Sequence, residues 1–162
     1  MKAKLDKTDL KILEILQTDC RITTKKLAKK LNLSPTPVFE RIKKLEKEGY
    51  IDKYVALLNE RKIGLKQTIF IGVKLKGHTR SYLQNFLKQV NSFNEVTECY
   101  QVSGNFDFLV KIVLEDIDAY ETFVQTKLSL ISEIGNVHSY IAIKKGKNTT
   151  NLDLSSLKED SL

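Results

Sequence analysis

Both prolines of this chain, Pro35 and Pro37, fall within residues 31–47, Leu-Asn-Leu-Ser-Pro-Thr-Pro-Val-Phe-Glu-Arg-Ile-Lys-Lys-Leu-Glu-Lys, a stretch whose side chains suit contact with a polyanion. Ser34 is placed to cap a helix, its hydroxyl accepting from the orphan amides of the first turn. Pro35 then takes the first helical position, where a missing N–H costs nothing, and Pro37 still lies in the first turn. Val38, Ile42 and Leu45 follow at i, i+4 and i+7 as an apolar seam, and Gly49 is placed to end the helix. The other side carries Thr36, Glu40, Lys43, Lys44 and Lys47, short and polar at its start and basic beyond. A helix entering a DNA major groove needs that layout, with small polar residues at the tip and cations near phosphates. An ordinary amphipathic surface helix has the same pattern, so the flanking residues must decide.

Stepping N-terminally, residues 5–17 read as a first helix. Asp6 caps it, Asp9 favours its N-terminus, and Leu5 with Leu10 fits a hydrophobic staple; Leu10, Leu13 and Leu16 form its apolar face. After the break Asp19-Cys20-Arg21 the grammar repeats, with Thr23 as cap and Ile22 stapled to Leu27. Leu27, Ala28 and Leu31 make a second buried stripe. Asn32 can take the left-handed conformation that turns the chain into the third helix. Three short helices with a tight turn before the last, and cations gathered on the second and third, describe a helix-turn-helix.

The charge distribution agrees. The chain carries 27 Lys and Arg against 20 Asp and Glu, a net charge of +7, and residues 21–53 alone hold 10 against 4. Basic charge concentrated in the first third suits a phosphate-binding module, although a solvated lysine-rich surface has the same composition. With 41% hydrophobic residues and 162 positions there is material for one domain or two small ones. No apolar run reaches a membrane span and the N-terminus lacks a signal-peptide core. A cytoplasmic protein with its two cysteines, Cys20 and Cys99, reduced is therefore expected.

Residues 50–58 are rich in β-formers and predict a strand leaving the helical unit; 51–66 then serve as hinge strand and linker. From residue 67 the periodicity alternates between two and 3.6. Strands are predicted over 68–75, 96–102, 106–114 and 137–144, and helices over 79–90 and 117–131. The order β-α-β-β-α-β over 67–146 points to a ferredoxin-like sandwich, giving an α+β chain overall. Its antiparallel sheet would carry helices on one face and leave the other open. Phe70, Tyr100, Phe108 and Tyr140 are the expected apolar residues of that open face, with a second subunit as its cover. Residues 147–162 show no sustained pattern and are expected to form a mobile tail.

Leu5-Asp6, the run Ser34-Pro35-Thr36-Pro37-Val38, Arg41, Leu45-Glu46, Gly49-Tyr50-Ile51 and Val102-Ser103-Gly104-Asn105-Phe106-Asp107-Phe108 together resemble the Lrp/AsnC family, the leucine-responsive or feast/famine regulators, over residues 5–145. The resemblance implies a plain or winged helix-turn-helix, a hinge strand and a ferredoxin-like effector domain. It further implies double-stranded promoter DNA and an amino acid or related metabolite as partners, and homodimers that assemble to an octamer. It places Ser34, Pro35, Thr36 and Pro37 at the groove-facing end of the recognition helix. Arg41, Lys43 and Lys44 are then candidate phosphate or base contacts, with Lys25, Lys26, Lys29 and Lys30 as secondary backbone contacts. Glu40 can accept from cytosine or pair with Lys43 or Lys44 on its own helix.

The resemblance places the effector at Ser103, Gly104, Asn105 and Asp107, with Tyr100, Gln101 and Val102 as further lining. Gly104 would let backbone amides approach a ligand carboxylate, and Asp107 would pair with an α-ammonium. The same residues also fit a β-hairpin whose Gly and Asn satisfy turn geometry while Asp107 caps locally. Many relatives carry Asp where this chain has Asn105, so ligand identity does not transfer.

His78 and His138 have no partner at metal-ligand spacing, and no nucleophile–base pair, phosphate-cradling glycine loop or paired-carboxylate pattern is present. No catalytic residue, metal or cofactor is expected. The favoured reading is an effector-responsive regulator acting on pseudo-palindromic promoter sites; the alternative is a low-specificity, nucleoid-type architectural protein.

Overall fold

The computed structural model describes residues 5–159, which separate into two compact units: 5–57 with 147–159, and 58–146. The first unit holds α1 (Lys7–Thr18), α2 (Thr24–Leu31) and α3 (Pro35–Lys47). Asp6 caps α1 with a reciprocal pair: its carboxylate accepts from Asp9 N at 2.8 Å, and Asp9 accepts from Asp6 N at 3.3 Å. Thr23 caps α2 through Lys26 N, and Asn32 closes it in the left-handed region at φ 55°. Gly49, at φ 75°, ends α3 while Tyr50 N reaches back to Leu45 O. Ile12, Leu27, Ala28, Val38 and Leu45 converge as the core of this unit.

Ser34 has the extended backbone of a cap but makes no side-chain cap bond. An N-cap hydroxyl accepts from the second or third residue of a helix, and the third residue here is Pro37, which has no N–H. The hydroxyl stays exposed on the helix tip.

The second unit is β1 (Gln67–Leu75), α4 (Arg80–Val90), β2 (Val96–Gln101), β3 (Phe108–Leu114), α5 (Ile117–Thr126) and β4 (Ile134–Ile141), preceded by a 3-10 turn at Glu60–Ile63. The strands form one antiparallel sheet in the order β2-β3-β1-β4, the ferredoxin-like arrangement expected from the element order. Ile69, Ile71, Val73 and Leu75 alternate onto the helix-covered face with Phe108, Val110 and Ile112. They meet Phe86 and Val90 of α4 and Phe123 of α5 there. α5 stops short of the predicted residue 131. Thr122 and Thr126 turn their hydroxyls back onto the carbonyls of Asp118 and Thr122, and a separate 3-10 turn, Leu128–Leu130, follows.

Three expectations are corrected. Residues 52–58 form no strand, because β-forming side chains make a strand only where a ladder partner exists; Tyr54, Val55, Leu57 and Leu58 are all about half exposed or more. β4 begins at Ile134 and ends at Ile141 rather than spanning 137–144, since a register shift at Leu75 lets Leu75 pair with Ile134. Phe108 is fully buried on the helix face, its ring 4.6 Å from that of Phe86, and so contributes nothing to the open face. Phe106 takes that place. It leaves the β3 ladder and lays its ring over Gly72, where a Cβ would come within 2.8 Å of it, beside His138 at 5.5 Å.

The C-terminal segment also differs from the expected mobile tail. Leu152 N donates to Gln17 Oε1 at 2.6 Å, Gln17 Nε2 donates to Leu152 O at 3.2 Å, and α6 (Ser156–Glu159) lies against α1. Residues 160–162 of that prediction fall outside the described residues.

Candidate DNA-binding surface and effector site

The tip of α3 presents Ser34, Pro35, Thr36 and Pro37 exposed and together, with Phe39 and Glu40 one turn on. Lys25, Lys26, Lys29 and Lys30 are exposed on α2, and Lys44 and Lys47 on α3; none of the six has an ion pair among the described residues. This surface can offer cations to phosphates and a small polar edge to bases.

Arg41 does not join it. Its Nη1 donates to Asp6 Oδ2 at 2.5 Å and to Asp9 Oδ1 at 2.6 Å, so the guanidinium ties α3 to the capping box of α1. Asp9 is 3% exposed and its carboxylate needs such a partner. The two carboxylates, Asp9 first, raise the Arg41 pKa. At Asp6, burial pushes the carboxyl up, but the Asp9 N–H and the Arg41 guanidinium outweigh it and hold the group below its ordinary value. The Arg41 charge is thereby directed to another helix. A basic residue on the polar side of a helix reads as a surface cation in sequence; its partners lie 32 and 35 positions away.

Lys43 is engaged too. Its Nζ lies 2.9 Å from Glu46 Oε2 and 5.8 Å from the centre of the Phe39 ring. Glu40, read as an acceptor from cytosine or a partner for Lys43 or Lys44, has no ion pair among the described residues; Glu46, three residues on from Lys43, pairs with that lysine instead. The Lys43 bond first, and the Tyr54 hydroxyl donating to Glu46 Oε1 at 3.1 Å, hold the Glu46 carboxyl below its ordinary value. Burial and that same bond push Tyr54 up to about 12. Phe39, 46% exposed, was not singled out by the sequence reading. Its signal was an aromatic one position off the Val38–Ile42–Leu45 seam.

In the second unit, Gly104 adopts φ 126°, a conformation that glycine takes without strain. The turn is closed by Val102 N donating to Asp107 O at 3.0 Å, and Asp107 N continues the sheet by donating to Val73 O at 2.9 Å. The Asp107 side chain then acts as one more rung. Its Oδ2 accepts from Leu75 N at 2.8 Å, where β3 no longer offers a carbonyl, and its Oδ1 lies 2.9 Å from His78 Nε2. Asp107 is thus a turn-locking carboxylate with one oxygen shared with an imidazole, and His78 is not isolated as the sequence suggested. Ser103, Gly104, Asn105 and Phe106 keep N–H groups with no partner among the described residues. Tyr100 points away from this turn, donating to Glu98 Oε2 at 2.8 Å on the open face; Lys111 first, then Tyr100, lower the Glu98 pKa.

Residues 5–52 match the model of a winged helix-turn-helix DNA-binding domain, and residues 68–152 match the Lrp/AsnC ligand binding domain. The chain belongs to the Lrp/AsnC family. It is 35% identical to the Bkd operon transcriptional regulator of Pseudomonas aeruginosa over 88% of this chain and 93% of that one. Among solved structures, a Neisseria meningitidis transcriptional regulator in complex with L-Met superposes with a TM-score of 0.91 at 33% identity, covering 94% of this chain and 99% of that one. An AsnC family transcriptional regulator from Agrobacterium tumefaciens gives 0.89 at 40% identity with the same coverage. As an Lrp/AsnC member the protein is a DNA-binding transcription regulator with a ligand-binding domain, not an enzyme. No described helix is long and apolar enough to cross a membrane.

Proposed function

We propose that the protein binds pseudo-palindromic promoter sites on double-stranded DNA as a dimer or higher oligomer in the cytoplasm, and that an amino acid or related small metabolite held at the 103–107 turn changes that binding. The DNA half of this reading is supported by the exposed Ser34, Pro35, Thr36 and Pro37 tip flanked by Lys25, Lys26, Lys44 and Lys47. Ser34 and Thr36 read base edges, and the lysines neutralise phosphates and set the salt dependence.

The effector half rests on one observation: four consecutive backbone N–H groups, from Ser103 to Phe106, lie in a turn centred on a positive-φ glycine and have no partner among the described residues. Such a concavity suits a carboxylate. An α-ammonium would then approach Asp107 Oδ1 in competition with His78, while Oδ2 stays on Leu75 N. The Neisseria relative was solved with an α-amino acid of this kind, L-Met. Asn105 adds no charge, so the ligand side chain is set by other lining residues, Gln101 and Val102 among them, while Tyr100 is turned to Glu98.

The open sheet face, where Phe70, Phe106, Tyr100 and Tyr140 gather, supports a homodimer, and four such dimers make the octamer. One helix-turn-helix makes few phosphate contacts, so linked heads supply the affinity through avidity. The effector acts to the extent that it binds one assembly better than another. The test is binding of the purified protein to the DNA upstream of its own gene, at fixed salt, beside a scrambled duplex, with and without a panel of amino acids. Sequence-dependent binding moved by one amino acid supports the reading. Equal binding to both duplexes, unmoved by any amino acid, would replace it with the architectural alternative.

A further inference from the structure

Among the described residues, Lys43 is the one lysine of the proposed DNA-facing surface held by a carboxylate, and that carboxylate is itself held by a residue outside the helix-turn-helix. Lys43 Nζ bonds Glu46 Oε2 at 2.9 Å, and Tyr54 donates to Glu46 Oε1 at 3.1 Å. Tyr54 belongs to the irregular segment 52–58, which has no ladder partner among the described residues and leads into the second unit at Leu58. Both oxygens of Glu46 are therefore occupied, one by the connector and one by the recognition helix.

We propose that Tyr54 is a positioning residue that controls whether Lys43 is available to a DNA phosphate, acting through Glu46. With the tyrosine bonded, Glu46 is fixed beside Lys43 and competes with phosphate for it. Once the connector draws the tyrosine away, the carboxylate regains its rotamers, the i,i+3 pair weakens to an ordinary exposed one, and Lys43 turns to the backbone. The connector is the covalent path from the ligand-binding domain, so a change there reaches the DNA surface as the gain or loss of one phosphate contact. The inference rests on α3 being the DNA-reading helix.

Tyr54→Phe is the discriminating variant, because it keeps the ring, changes no charge and removes only the hydroxyl. Affinity of the full chain for the duplex from upstream of its own gene and for a scrambled duplex is measured across a salt series. One added phosphate contact steepens the log–log salt slope by about 0.9, so that the affinity lost between about 50 and 200 mM salt grows roughly threefold. Tyr54→Phe is expected to bind tighter at low salt and to show that steeper slope on both duplexes, because phosphate contact carries no sequence information. In a Lys43→Gln background the same substitution is expected to change neither quantity. An unaltered slope in Tyr54→Phe, or the same steepening with Lys43 absent, would overturn the proposal. Failure of the unsubstituted protein to bind either duplex would instead overturn the reading of α3 on which it rests.

Discussion

Removing the Arg41 side chain separates a clamp from a DNA contact by measurement. In Arg41→Met the apolar stem is kept and the guanidinium lost, leaving Asp9, 3% exposed, with only the 3.3 Å bond from Asp6 N. A hydrogen bond to a charged partner contributes about 1.5–3 kcal/mol, and the pairing with the half-exposed Asp6 adds at most roughly 0.5 kcal/mol after solvent screening. The Arg41 side chain is itself 34% exposed, so the lower part of that range applies. We expect a loss of about 2 kcal/mol confined to the helix-turn-helix, a roughly 30-fold fall in hydrogen-exchange protection of slowly exchanging α1 and α3 amides. Amides of β1 and β3 should not change. In an Asp9→Leu background the same substitution should cost well under half as much, because the buried charge that needs the guanidinium is gone. Exchange is the suitable assay, since the chain has no tryptophan and two units that need not unfold together. Unchanged protection, combined with a salt slope of DNA binding shallower by about 0.9, would refute the clamp and restore Arg41 as a phosphate contact.

Further outcomes can be checked beside it. Because the Asp6 pKa is lowered from 3.8 by folding, its contribution is present above that value and lost as pH falls through the folded pKa; α1 protection should be flat near neutral pH, decline below about pH 4, and lose that part of the decline in Asp6→Asn. Gly72→Ala should cost the second unit about 1–3 kcal/mol and disturb oligomer formation, because its Cβ would stand 2.8 Å from the Phe106 ring; thermal unfolding and sedimentation read both, and Phe106→Ala should relieve part of the loss. Lys44→Ala should weaken binding by the same factor on cognate and scrambled duplexes, whereas Thr36→Ala should change their ratio, with equal losses counting against Thr36 as a base contact. Gln17→Ala should speed exchange at the Leu152 amide with little effect on the α3 amides.

Periodicity placed the three helices of the first unit and the order of the four strands, the bounds of β4 apart, because burial on one face imposes 3.6 or 2 directly on the residue order. Local chemistry was equally legible where caps and turns are set by neighbours in sequence, as at Asp6, Thr23, Asn32 and Gly49. Distant pairing was not. Arg41 looked like a surface cation because its partners, Asp6 and Asp9, lie on another helix; Asp107 looked free to meet an ammonium because Leu75 N and His78 come from another strand and loop. Phe106 and Phe108 share a parity in the sequence, and only the departure of the chain from the ladder before Phe108 sends their rings to opposite faces. The segment 52–58 has strand chemistry without a strand, since what completes a ladder is a partner rather than a propensity.

The two prolines of α3 have a consequence for how this surface meets a polyanion. A helix N-terminus ordinarily presents four unpaired N–H groups, and these draw a phosphate to it. Pro35 and Pro37 delete two of the four and leave those of Ser34 and Thr36. The tip is thereby a poor dock for backbone anions, while the Ser34 hydroxyl, left without a capping bond, remains both donor and acceptor. Grip and legibility are thus divided along the motif. On the reading proposed above, lysines back from the tip would hold the double helix, and the tip would be left electrically quiet enough to respond to the pattern on the base edges.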